Sequence, residues 1–399
     1  MGVAGLAVLA AGTITTLAAP VSLDDLAEDV ANRARLGMEA RVLYDDNVLR
    51  LDADRPVPPN RSKDDVRTTV SAVVDVAQQV SRQRVFLRGA AGYDFYRENR
   101  FLKRERIDAT GGVNWRAGSR CDGEASFRYG RGQTDLSDLG AAVRNRRDSR
   151  TLVLDGGCTL GVGLHPEFGY RRRTIENSAA IRLRSDLEAE RFSAGIAYDR
   201  TGRLGVALVA ASETLDFPNR RLPEGGGDAT RMRSLTGRVT ARGTDLIARG
   251  VLGYVEADSR NPGARDYSGW VGGGSLAWAP GPRLRLTASA RREVDASGDV
   301  AAGYFVADRG ELAARYRIGR ALDLELGGLL ERRRFRAVDV ASTGARSFDR
   351  TAQARAALGW SPVDRFRIGV EAVHARRTTD ALYGTYRSTR GLLVLGLAL

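Results

Sequence analysis

Residues 268–295 alternate with a period of two on both sides of a Pro-Gly-Pro stop, and this pattern limits the possible folds more than any other feature. Trp270, Gly272, Gly274, Leu276 and Trp278 fall on one parity, with Val271, Gly273, Ser275 and Ala277 between them. After Pro280-Gly281-Pro282, Leu284, Leu286, Ala288 and Ala290 take one parity, and Arg283, Arg285, Thr287, Ser289 and Arg291 take the other. Successive side chains of a strand point to opposite faces, so the stretch reads as a hairpin with one apolar face and one arginine face. In a soluble sandwich the apolar face would meet a second sheet. In an outer-membrane barrel it would meet lipid, and the arginine face would line water.

The rest of the chain follows the same alternation. Segments with it fall at roughly 34–50, 65–79, 83–96, 103–116, 119–132, 149–161, 164–176, 184–200 and 203–216. They continue at 231–243, 246–258, 268–279, 283–295, 304–318, 321–335, 349–361, 365–378 and 386–399. That is about eighteen, and single-chain bacterial barrels use an even number of strands. Tight turns such as Ser81-Arg82, Ala117-Gly118, Val162-Gly163, Thr201-Gly202 and Gly319-Arg320 alternate with longer polar loops at 51–64, 133–148, 217–230, 259–267, 296–303 and 336–348. A sandwich has no reason to sort its loops by length, whereas a barrel separates periplasmic turns from extracellular loops in this way. The expected fold is therefore all-β: a transmembrane antiparallel up-and-down β-barrel of about 18 strands, with short periplasmic turns and longer extracellular loops. Strand 203–216 fits worst; its parity is lost near Glu213, where a bulge is expected.

Three domains follow. Val3 to Pro20 is an apolar run ending Leu17-Ala18-Ala19-Pro20, which reads as a signal peptide over 1–18 whose basic n-region is apparently truncated. Residues 19–33 form a short acidic periplasmic segment, and 34–399 form the barrel in the bacterial outer membrane. The net charge of +13 comes almost wholly from arginine. These cations are spread singly along strands opposite the aromatics, which argues against nucleic acid as a partner. No interior stretch approaches the ~20 apolar residues of a membrane helix.

Trp115, Trp278 and Trp360 stand just before periplasmic turns on the lipid parity, as an aromatic girdle would. Cys121 and Cys158 fall on consecutive strands at the same barrel end, so a cross-strand disulfide is geometrically allowed and the periplasm is oxidising enough for one. His165 and His374 have no ligand-spaced partners, so no metal and no cofactor are expected. No nucleophile motif is present, and an enzyme is not expected. The acidic pairs Asp45-Asp46 and Asp64-Asp65 read as solvated loop charge rather than a Ca²⁺ site. Leu393, Leu395, Leu397 and Leu399 share one parity and are similar to the C-terminal signature that the barrel-assembly machinery recognises, with Leu399 in place of the usual aromatic.

The first strand carries Tyr44-Asp45-Asp46-Asn47-Val48, followed by Leu49-Arg50-Leu51. This run, opening a many-stranded barrel behind a signal peptide, resembles the EpsL-like outer-membrane β-barrels associated with exopolysaccharide biosynthesis. The resemblance implies polymer export, with polysaccharide and the periplasmic components of an export system as partners beside outer-membrane lipid. It names no catalytic residue.

Parity by itself directs Arg84, Arg88, Arg106, Arg128, Arg238, Arg242, Arg249, Arg283, Arg285, Arg291, Arg309, Arg315, Arg317, Arg355 and Arg367 into the lumen. Inward carboxylates such as Asp94, Asp108, Asp155, Glu311, Asp323, Glu325 and Glu371 offset some of this charge. Guanidinium groups lining water lower the barrier to anions and grip carboxylates bidentately. The leading expectation is a passive export conduit for an acidic exopolysaccharide. One alternative is a general or anion-selective diffusion porin, with 133–148 or 217–230 as the loop folded into the lumen. The other is an outer-membrane hydrolase or surface-assembly barrel. A structural reading also stands, in which the arginines pair across strands and stiffen the wall.

Overall fold

The computed structural model describes residues 32–399, except 135, 137–142, 200–201, 222–224, 226, 262–265, 297–301, 338–346 and 381–383. The signal peptide expected over 1–18 and nearly all of the 19–33 segment lie outside the described residues. In chain order the strands are β1 (Arg33–Asp45), β2 (Asp65–Val80), β3 (Gln83–Tyr96), β4 (Arg104–Ala117), β5 (Cys121–Gln133) and β6 (Arg146–Cys158). Next come β7 (Leu164–Asn177), β8 (Leu187–Tyr198), β9 (Leu204–Arg221), β10 (Gly227–Arg242), β11 (Leu246–Ser259) and β12 (Tyr267–Trp278). The last six are β13 (Leu284–Ala296), β14 (Ala302–Ile318), β15 (Leu322–Ala337), β16 (Phe348–Val363), β17 (Phe366–Thr379) and β18 (Tyr386–Ala398). Every strand pairs antiparallel with its sequence neighbours, and β18 returns to β1 from Gly37↔Ala398 to Asp45↔Arg390. The sheet closes with all 18 strands and leaves no edge.

The outer face is apolar and bare. Leu36, Met38 and Val42 of β1, Leu252 and Tyr254 of β11, Leu326 and Leu330 of β15, and Leu393, Leu395 and Leu397 of β18 are all exposed. A contiguous apolar belt around a closed barrel cannot face water. Residues of the opposite parity are charged or small and half-buried, which is the reverse of a soluble protein. Trp278 and Trp360 are exposed on the belt beside the short-turn end. Trp115 lies on the same side, over Gly123 and Gly156 of β5 and β6. A Cβ on either glycine would stand within 2.6 Å of the indole, so the ring covers strand backbone where no side chain competes for the space. At the other end, Tyr254 meets Trp270 edge-on at 5.7 Å and Tyr170 stacks near Phe192 at 4.9 Å.

The expected bulge at Glu213 is absent. β9 pairs without interruption with β8 from Glu188↔Asp216 to Tyr198↔Val206, and the register shift falls instead at Gly227/Asp228. The parity only looked broken there because the inward face changes character along β9. It carries Gly205, Ala207 and Val209 below, and Glu213, Leu215 and Phe217, all buried, above. The first strand stops at Asp45 and not at residue 50, since Asp46 onward turns into the β1–β2 loop. Arg283 precedes β13 and is exposed in the periplasmic turn, so it is not a strand-borne lumen residue.

Candidate functional site

The inner wall is a mesh of arginines and carboxylates. Arg128 binds Asp108 at 2.9 Å, Arg238 binds Glu167 at 2.7 Å, and Arg242 binds Asp199 at 3.2 Å. Arg315 and Arg317 share Asp323 at 3.1 and 3.7 Å. Arg355 bridges Glu371 at 2.8 Å and also contacts Glu325, while Arg309 bridges Glu311 and, at 3.5 Å, Glu331. Arg88 reaches Asp75 at 3.4 Å and Arg291 reaches Glu293 at 3.3 Å. Arg84, Arg106, Arg249, Arg285 and Arg367 stand on the same inner parity. Many of these arginines are thus paired across strands, and the inner face is arginine-rich.

Sequence reading missed Arg171, Arg173, Arg191, Arg333 and Arg377, which also face inward. They sit in runs such as Tyr170-Arg171-Arg172-Arg173, where the alternation is hidden by charge on both faces. Counting parity outward from Phe168 and Phe192 would have found the first three. Arg171 and Arg191 lie directly opposite each other on β7 and β8. Arg191 takes Glu213 at 3.4 Å, whereas Arg171 Nε and Nη1 have no hydrogen-bond partner among the described residues. Both arginines border a cavity of about 540 Å³ on the inner face of β6–β11, which Arg238, Arg242, Arg249 and Asp155 also line. Here the lumen holds cationic groups close together beside open volume.

Above that cavity, toward the long loops, the lumen is filled. The pairing of β12 with β13 ends at Gly272↔Arg292, although both strands run further. Beyond that point the β13–β14 hairpin tucks inside the wall. Val294, Ala296, Tyr304 and Val306 lie on the parity that faces lipid lower down, yet all are buried in one cluster. Their partners include Ile175, Leu187, Leu215, Phe217, Met232, Val255 and Val271 from the inner faces of β7 to β12. The backbones of β10 and β14, with three strands between them in the sheet, approach within 8 Å. Asp295 on the hairpin reaches Arg173 of β7 at 3.6 Å. Six strand spacings of ~4.8 Å, widened by tilt, put β7 and β13 roughly 30 Å apart around the wall, so the hairpin crosses much of the bore.

The β1–β2 loop narrows the lumen from another side. Leu49 and Leu51 are buried with Tyr96, Leu102 and Leu136. The Tyr44–Val48 stretch sets this loop in place. Tyr44 is exposed on the outer face, while Asp45 accepts hydrogen bonds from the Asn47 amide (3.0 Å) and the Ser388 hydroxyl (2.9 Å) and pairs with Arg50 at 2.8 Å. Asn47 Nδ2 donates to the carbonyls of Leu51 and Arg387 at 2.7 and 2.9 Å, and the Asp46 side chain accepts from the Thr389 amide at 2.8 Å. These bonds clasp β1 to β18 where the barrel closes. Asp65 is likewise not solvated: it is buried and accepts from the amides of Arg97, Glu98 and Asn99. Among the described residues the infolded elements are thus the β13–β14 hairpin and the β1–β2 loop, with Leu136 of the 133–148 loop packed against the latter; the middles of the 133–148 and 217–230 loops expected from length lie outside the described residues. Cys121 and Cys158 face each other in register and are joined by a disulfide. His165 and His374 each hydrogen-bond a threonine hydroxyl, Thr159 and Thr389 respectively.

Residues 228–399 match the family described as "Putative beta-barrel porin 2". The chain is a closed 18-stranded β-barrel with the exposed apolar belt of a bacterial outer-membrane protein, and its 228–399 part is porin-like. Among solved structures it is similar to OccK2 (OpdF) of Pseudomonas aeruginosa in complex with glucuronate, at 11% identity and a TM-score of 0.48, covering 92% of this chain and 98% of that one. It is also similar to OpdK of P. aeruginosa with vanillate, at 11% identity and a TM-score of 0.46, covering 92% and 99%. The siderophore receptor PirA of P. aeruginosa matches at 11% identity and a TM-score of 0.42, covering 91% and 80%. No curated protein sequence matches the chain.

Proposed function

We propose that this barrel is a passive, anion-preferring channel for small solutes across the outer membrane. The observation that carries the reading is the β13–β14 hairpin, folded over an arginine-walled cavity of about 540 Å³. A cavity of that size suits a solute of drug-like dimensions. Opposed arginines in a confined aqueous space favour anions, because their field is least screened where water is scarce. A polymer conduit needs an unbroken bore, and the hairpin and the β1–β2 loop both project into it. The exopolysaccharide reading rests on Tyr44–Val48, where Asp45 and Asn47 are engaged in closing the wall.

Planar-bilayer recordings test the proposal. Under a KCl gradient the reversal potential should report anion preference. Replacing Arg171 and Arg238 by glutamate together should move it toward cations. Cation preference in the unaltered protein, with no response to these changes, would reject the reading. Passage of long acidic polysaccharide through reconstituted vesicles would restore the export hypothesis.

A further inference from the structure

The outer wall carries a second arginine cluster that the channel reading does not use. On β15 to β18 the outward parity changes from apolar to cationic at one level. Leu322 to Arg332, Trp360 to Arg350, Phe366 to Arg376 and Leu397 to Arg387 each span ten residues along the outer face. Ten residues rise ~33 Å along a strand, and a tilt near 40° reduces that to about 25 Å of height, the thickness of the apolar band. These four arginines therefore stand at the head-group level of the outer leaflet, on the long-loop side.

Their arrangement is unfavourable without an anion. Arg332 lies directly opposite Arg350, and Arg376 directly opposite Arg387. Like charges facing each other across an antiparallel pair repel. All four side chains are exposed, and among the described residues none has a carboxylate partner. The neighbouring carboxylate Asp308 is already shared by Arg292 at 2.6 Å and Arg334 at 2.9 Å. Elsewhere around the same rim outward arginines are neutralised, as in Arg172–Glu188 and Arg150–Glu176, both at 3.4 Å. Among the described residues, only the β15–β18 face combines the height of lipid phosphates with guanidinium pairs that lack a carboxylate partner.

We infer that this face binds a phosphorylated glycolipid of the outer leaflet, with each opposed arginine pair holding one phosphate. Guanidinium forks match phosphate oxygens bidentately, and two forks on adjacent strands bracket one phosphomonoester. The acyl chains would lie on Leu330, Leu326, Leu358 and Leu395 below, all exposed on the outer face.

The test uses the full chain in neutral detergent, titrated with diphosphorylated lipid A and followed by native mass spectrometry and by thermal unfolding. Saturable binding that raises the unfolding temperature is expected, weakened on the order of fivefold per arginine when Arg332, Arg350, Arg376 and Arg387 are changed to glutamine. Arg150→Gln with Arg172→Gln should leave the affinity unchanged. Equal binding of dephosphorylated lipid A, or of phosphatidylglycerol, by the unaltered protein would overturn the inference. So would full affinity in the quadruple variant. Should that variant not fold, Arg376→Gln with Arg387→Gln and the dephosphorylated lipid still decide the matter.

Discussion

Asp349 is fully buried on the inner wall between two arginines, Arg333 at 2.9 Å and Arg377 at 2.5 Å, and Arg377 is itself 1% exposed. The carboxylate compensates two cations at a site with little water. Changing Asp349 to alanine removes the carboxylate these two cations share, leaving Arg333 its second partner Glu331 at 3.1 Å, and breaking a buried pair is a class of change that costs about 3–5 kcal/mol. Chemical unfolding in detergent should show a loss of that order, and a variant as stable as the parent would mean that water reaches the site. Asp380, in the β17–β18 loop, behaves differently. Partial burial would raise its pKa, but hydrogen bonds from the Ser347 hydroxyl and from the Ser347 and Phe348 amides outweigh it, so the folded value lies below the ordinary carboxylate value. A depressed pKa stabilises the fold above the unfolded pKa near ~3.9, and the contribution is lost as pH falls through the folded value. Below about pH 4, amide exchange at Ser347 and Phe348 should therefore accelerate relative to pH 7, when both are normalised to an Asp380→Ala variant. Identical pH profiles in the two proteins would show that the carboxylate does not hold the start of β16.

The infolded hairpin is the element on which the channel reading turns. Its infolded arms are held by apolar burial of Val294, Ala296, Tyr304 and Val306 and by the ion pair Arg173–Asp295 at 3.6 Å. Asp295 changed to arginine would face Arg173 and repel it, and Val294→Ser with Val306→Ser would remove much of the apolar contact. The triple variant should release the hairpin and raise single-channel conductance severalfold, while circular dichroism keeps its β signal. Unchanged conductance would place the narrowest point elsewhere, with the β1–β2 loop the next candidate. The disulfide between Cys121 and Cys158 acts at the opposite end, tying β5 to β6 at the short-turn side where a strand pair would fray first. Neither feature disturbs the period of two, so both are compatible with the same local pattern.

At the scale of the whole molecule, the exposed apolar belt requires an amphiphile. Stripped of detergent, the protein should aggregate, and a stable monodisperse solution in plain buffer would contradict the membrane placement. The strand count, the faces and the alternation of short and long connections were readable from residues alone, because parity is a local property of an extended backbone. Stretches such as Leu322-Asp323-Leu324-Glu325-Leu326 state their faces without reference to any other strand. Charge runs hid Arg171 and Arg173, because arginine on both faces erases the alternation that parity needs. The inward turn of the hairpin could not be read at all. Val294 and Ala296 continue the apolar parity of Leu284 and Leu286, and that parity specifies only that the face must leave water. Lipid and the inner surfaces of β10 to β12 both satisfy this requirement. The choice between them depends on where distant strands present Met232, Val255 and Val271, which closure of the barrel alone decides. The same holds for Asp45 and Asn47, which look like loop polarity until β18 is brought alongside and supplies Ser388 and the Arg387 carbonyl.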